Sequence, residues 1–88
     1  MAIIKKKIWP QYYDEVASGK KKFELRLADF EIKEGDTFIL AEWDPQSKAY
    51  TGRELVKKAG AVYKFKKEDL FNQAEAMMEN GFYVITLE

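Results

Sequence analysis

Between Lys22 and Phe65 the chain holds three strand-like stretches in succession with no helical stretch among them. Parallel neighbours need long, usually helical, crossovers, so strands that follow one another through short turns form an antiparallel or curled sheet instead. Lys22 to Leu27 alternates Lys-Phe-Glu-Leu-Arg-Leu, the period of two that puts Phe23, Leu25 and Leu27 on one side and Lys22, Glu24 and Arg26 on the other. Glu34-Gly35-Asp36 reads as a turn, and Thr37 to Trp43 as a buried strand rich in Phe38, Ile39 and Leu40. Asp44-Pro45 opens a wide hairpin that Tyr50-Thr51-Gly52 closes, leading into a long strand from Arg53 to Phe65. Gly60 inside that strand marks a bulge or bend, which lets a small sheet curl toward closure.

The flanks add helices. Ala2 to Ile8 sets Ile3, Ile4 and Ile8 among three lysines, a strand with one wet side. Pro10 stands where a first helical turn tolerates it, and Trp9, Tyr13, Val16 and Ala17 then recur at spacings of three and four on one stripe, with Asp14 and Glu15 near the helix start. On that stripe Trp9 reads as core. Gly19 ends the helix as a left-handed cap. Lys66 to Asn80 is helical by composition, with Leu70, Phe71, Ala74, Met77 and Met78 on one side, and Phe82 to Leu87 is the last strand. The order β, α, β, β, β, α, β describes one α+β domain over residues 1–88: a small curled sheet or open barrel with two helices.

Composition narrows the chemistry. Cysteine and histidine are both absent, which removes disulfides, thiolate nucleophiles, zinc ribbons and histidine-based triads or metal sites. No carboxylate spacing resembles a calcium loop or magnesium cluster, so neither a metal nor a cofactor is expected. Fifteen basic and fifteen acidic residues cancel, yet up to Arg26 seven basic residues face three acidic ones. No apolar run is long enough for a membrane span, and Met1 to Ile8 is too short and too charged for a signal peptide, which points to a cytoplasmic protein. Oligomeric state is not written in the residues.

The densest polar information is Gly19 to Arg26, GKKKFELR. A helix stops, and the next strand brings out Lys22, Glu24 and Arg26 with Lys20 and Lys21 at the corner. Arg26 supplies a rigid fork of donors and Lys21 a point charge, while Glu24 accepts from a base amine or orients the lysine. The plainer reading is a solvated turn in which Glu24 and Arg26 pair with each other. Trp43, at a strand end, is a stacking platform for a base or a plug at the mouth of the sheet. Tyr83 would lie near the same mouth. Arg53 reads as a solvated strand end.

Ile8-Trp9-Pro10, Gly19-Lys20-Lys21, Phe23-Glu24-Leu25-Arg26, Glu34-Gly35-Asp36-Thr37, Glu42-Trp43-Asp44-Pro45 and Tyr50-Thr51-Gly52-Arg53, in that order, resemble the ASCH domains of the PUA-like superfamily. They are most similar to the short bacterial and phage branch of uncharacterised ASCH-related proteins. The resemblance implies a PUA-like β-barrel whose cleft, between barrel and first helix, is lined by a G-x-K-x-x-x-x-R motif, with Gly19, Lys21 and Arg26 at its fixed positions. It implies an RNA- or nucleotide-binding module with Lys20, Lys21, Glu24, Arg26, Trp43 and Tyr83 around the ligand. One branch hydrolyses acylated cytidine with this lysine and a threonine two residues before the arginine; Glu24 stands in place of that threonine, and Glu68 or Glu75 would supply the further carboxylate. If the chain were such a hydrolase, Lys21 and Glu24 would be its catalytic pair. A third reading is a protein-interaction domain with no nucleic-acid ligand.

Overall fold

The computed structural model describes residues 1–66 and 81–88. Over these residues the elements are β1 (Ile3–Ile8), α1 (Pro10–Ala17), β2 (Phe23–Leu27), β3 (Thr37–Asp44), β4 (Ala49–Phe65) and β5 (Phe82–Leu87). The expected helix over Lys66 to Asn80 lies outside the described residues, and so do Glu68 and Glu75. One helix and a five-stranded mixed sheet therefore form the described α+β fold, with strand order β1-β3-β4-β5-β2. β1 runs parallel to β3, and every other pairing is antiparallel.

β4 is long enough to serve two partners. Its first part pairs with β3 and its last part with β5. The change of partner coincides with a register shift between Ala59 and Val62, where the Ala61 N–H leaves the ladder and donates to Thr86 Oγ1 at 2.7 Å. Gly60 sits inside this bulge against Thr86 and Glu88, where a Cβ would have no room. The bend expected at Gly60 is thus present. It curls the sheet around a core of Ile8, Tyr13, Val16, Ile32, Phe38, Leu40, Ala59, Tyr83 and Ile85.

The curl stops short of a closed barrel. β1 and β2 are both terminal strands and do not pair with one another. Instead the Arg26 guanidinium, projecting from β2, donates through Nη2 to the Lys7 carbonyl of β1. A charged side chain thus stands between the two end strands where they come near each other.

The structure also fixes how β2 and α1 are turned. The apolar side of β2 is the outer one, with Phe23, Leu25 and Leu27 exposed and Glu24 buried. On α1, Tyr13 and Val16 face the core, but Trp9 is 52% exposed. Trp9 is the N-cap, and its extended backbone (φ −76°, ψ 152°) turns the indole off the helical stripe. Asp14 and Glu15 lie past the first turn, which contains no acid.

Candidate functional site

Helix α1 stops at Ser18, and Gly19 follows at φ +82°, a left-handed conformation that suits glycine. The Lys21 N–H then returns to the Glu15 carbonyl at 3.0 Å, fixing the corner against the helix, and β2 starts two residues later. This corner directs Lys21 and the inner side of β2 into a cleft of about 620 Å³ between the ends of β1 and β2. Lys7, Ile8, Trp9, Tyr12, Lys21, Phe23, Glu24, Leu25 and Arg26 line it.

At its base lies Glu24, 2% exposed and clamped on both oxygens. Lys21 Nζ donates to Oε1 at 2.8 Å, and Arg26 Nε donates to Oε2 at 2.9 Å. The pairing of Glu24 with Arg26 is therefore real, but it lies inside a hollow and not on a solvated strand face. Two cations and one anion leave the cluster one positive charge in excess. Lys21 Nζ also stands 5.0 Å from the Tyr12 ring centre and 5.5 Å from that of Phe23, so carboxylate and π faces together hold it in place. Lys21 keeps N–H groups beyond the one given to Glu24, and Arg26 keeps donors beyond those on Glu24 and Lys7. Chemically the cleft combines oriented cationic donors with exposed aromatic rings. Such donors are of the type that pair with carbonyl or phosphate oxygens.

Other expected site residues lie elsewhere. Lys20 is exposed and only loosely paired, 3.8 Å from Glu15. Trp43 is outside the cleft: it meets Tyr50 edge-to-face at 5.1 Å, with Lys7 Nζ 3.7 Å from its ring centre. Tyr83 is buried, donates to the Phe30 carbonyl at 2.9 Å, and borders a different hollow of about 670 Å³ with Asp29, Glu31 and Lys64. Its neighbour across the ladder is Arg26, but packing against Phe30, 5.3 Å away, holds its ring in the core. Trp9 and Tyr12, by contrast, are cleft residues that the stripe on α1 assigned to core or left unremarked.

A second buried carboxylate escaped the sequence reading. Glu42 on β3 is 3% exposed and receives Arg53 in a two-pronged grip, Nε to Oε1 at 2.9 Å and Nη2 to Oε2 at 2.6 Å, with Thr51 Oγ1 donating at 2.6 Å. A register shift between Ala41 and Trp43 makes this possible, because the surplus residues of β4 form a bulge that aims Thr51 and Arg53 at Glu42. Arg53 also reaches Asp14 at 3.3 Å and lies 4.2 Å from the Tyr13 ring centre, tying the hairpin to α1. The available signal was parity: Glu42 shares its side of β3 with the fully buried Leu40, so it needed a cation across the hairpin.

The Arg53 bonds, then that of Thr51, hold the Glu42 carboxyl below its ordinary range, and Glu42 in turn raises the Arg53 guanidinium further. Asp36 is likewise lowered, by the N–H groups of Lys33 at 2.9 Å and Ala2 at 3.1 Å. As pH falls, the unfolded chain takes up protons at these carboxyls before the folded chain does, so their stabilisation is complete above about pH 5 and drains away below about pH 4. With no histidine, no side chain ordinarily titrates between about pH 5 and 8. Melting temperature is expected to stay flat across that interval and to fall on acidification, with Asp36→Asn flattening the acid limb. A strong slope near neutrality would contradict this assignment.

Among the described residues no group of three acidic side chains could hold a metal ion, and no helix is long and apolar enough to cross a membrane. No curated protein matches the sequence. The crystal structure of hypothetical protein PH0355 superposes with a TM-score of 0.68 at 20% identity, covering 100% of this chain and 98% of that one, a likeness that speaks for the fold. Residues 3–84, nearly the whole length, match the family described as Domain of unknown function (DUF3850), and the chain belongs to that family.

Proposed function

We propose that the cleft binds a nucleotide or a nucleotide within RNA, and that the chain is an ASCH-type member of the PUA-like superfamily whose open, curled sheet corresponds to the barrel of that superfamily. The observation that carries the reading is the convergence of Lys21 and Arg26 on buried Glu24 in a cleft also lined by Trp9, Tyr12 and Phe23. Rings offer stacking surface to a base, and the spare donors of Lys21 and Arg26 suit base carbonyl or phosphate oxygens. Gly19, Lys21 and Arg26 also hold the fixed positions of the G-x-K-x-x-x-x-R motif. Hydrolysis of an acylated nucleoside is the weaker alternative. Glu24 is the only carboxylate lining the cleft among the described residues, and it already accepts from both cations.

Arg26→Ala is expected to weaken binding of nucleotides and short RNAs at least about tenfold, the value of one lost charge-assisted bond. Binding is read by calorimetry well below the melting temperature, because the same variant also releases Glu24 and Lys7. Unchanged affinity in a folded Arg26→Ala protein would sink the proposal.

A further inference from the structure

Lys7 belongs to two surfaces. Its carbonyl receives Arg26 at the cleft wall, while its side chain lies on the outer side of β1 together with Lys5, opposite in parity to inward Ile4, Lys6 and Ile8. There the Lys7 ammonium sits 3.7 Å from the centre of the Trp43 ring and 5.8 Å from that of Tyr50. Lys5 stands 5.5 Å from Tyr50 but is neutralised by Glu54 at 2.8 Å. Lys7 has no carboxylate in ion-pair range among the described residues, so aromatic faces alone hold its charge. Among the described residues Tyr50, 51% exposed, takes part in no side-chain bond but the ring contacts already named. A lone cation between rings, one strand away from a donor-lined cleft, matches what a polyanionic chain with stacking groups requires: alternating phosphate and base sites.

We propose that the ligand is a single-stranded polynucleotide and not a free nucleotide. One base enters the cleft, the adjoining phosphate rests on Lys7, and the next base stacks on Tyr50 beside Trp43. This inference rests on the cleft reading and adds a second subsite to it. RNA and DNA share the chemistry involved.

The test compares uridylate and thymidylate with 5′-labelled oligo(U) and oligo(dT) of about eight nucleotides, by calorimetry and fluorescence anisotropy. Wild type is expected to bind at least one octamer about tenfold or more tighter than the matching mononucleotide. Tyr50→Ala should remove most of that gain and leave mononucleotide affinity unchanged, whereas Tyr50→Phe should retain it, since stacking needs the ring and not the hydroxyl. Lys7→Ala keeps the backbone carbonyl for Arg26 and should lower the salt dependence of octamer binding by about one phosphate contact. A preference for the ribo- or deoxyribo-octamer identifies the polymer, and either supports the inference. Equal affinity for octamer and mononucleotide overturns it, as does wild-type octamer affinity in Tyr50→Ala. If Arg26→Ala loses the mononucleotide while Tyr50→Ala loses nothing, the cleft stands and the second subsite falls. If Arg26→Ala keeps the mononucleotide, the cleft reading falls and this inference with it.

Discussion

Glu24→Ala is expected to lower the melting temperature by on the order of 15 °C and to abolish ligand binding at the cleft. The Glu24 side chain is 3% exposed and those of Lys21 and Arg26 are 19% and 24% exposed, so removing the carboxylate leaves two half-buried cations facing each other. Breaking a buried ion pair costs about 3–5 kcal/mol. The lower end applies here, because both long side chains can swing toward water. For a domain of this size ~3 kcal/mol corresponds to roughly 12–24 °C. Glu24→Gln keeps one carbonyl acceptor and should lose about half as much. Replacing all three with Lys21→Met, Glu24→Leu and Arg26→Met removes every charge together and should restore much of the stability, since a buried ion cluster is no more stabilising than packed apolar groups. That triple variant would still bind nothing. Should it bind nucleotides like wild type, the charged cluster has no part in recognition.

Arg53→Ala is the second large effect. It leaves the Glu42 carboxylate buried with Thr51 as its remaining partner among the described residues and cuts the tie from the hairpin to Asp14 and Tyr13 on α1. A fall in melting temperature of about 10 °C at neutral pH is expected. The gap to wild type should narrow on acidification, because without Arg53 the Glu42 carboxyl is no longer held below its ordinary range and contributes little stability that protonation can remove. Arg53→Lys should recover only part of the loss, since a single ammonium cannot make two parallel bonds to one carboxylate. Thermal melts at neutral and acidic pH read both effects. A lysine variant as stable as wild type would show that the two-pronged geometry contributes nothing.

Local patterns revealed the strands well and their orientation poorly. Phe82 to Leu87 is a strand as read, Thr37 to Trp43 lengthens by one residue, and the bend at Gly60 is where glycine and the run length put it. Alternation in Lys22 to Leu27 sorts the residues into two sides but cannot say which side turns inward. Here the charged side does, because Lys21 and Arg26 together satisfy Glu24. Parity on β3 marks Glu42 as inward, yet its cation depends on a bulge that shifts the register of β4. Tyr83 finds its acceptor on Phe30, fifty-three positions away, a contact that no spacing rule contains. Trp9 misleads for a simpler reason: a residue can fall on a helical stripe by count while standing one position before the helix begins.

The contact between Arg26 and the Lys7 carbonyl also bears on how the molecule behaves in company. Unpaired strand borders recruit strands from other chains and so seed aggregation. Among the described residues the two end strands have no further strand partner and come within one guanidinium of each other at Arg26 and Lys7. A charge at that point is expected to disfavour pairing with a strand of another molecule, so variants lacking Arg26 should precipitate at lower concentration than their loss of stability alone explains.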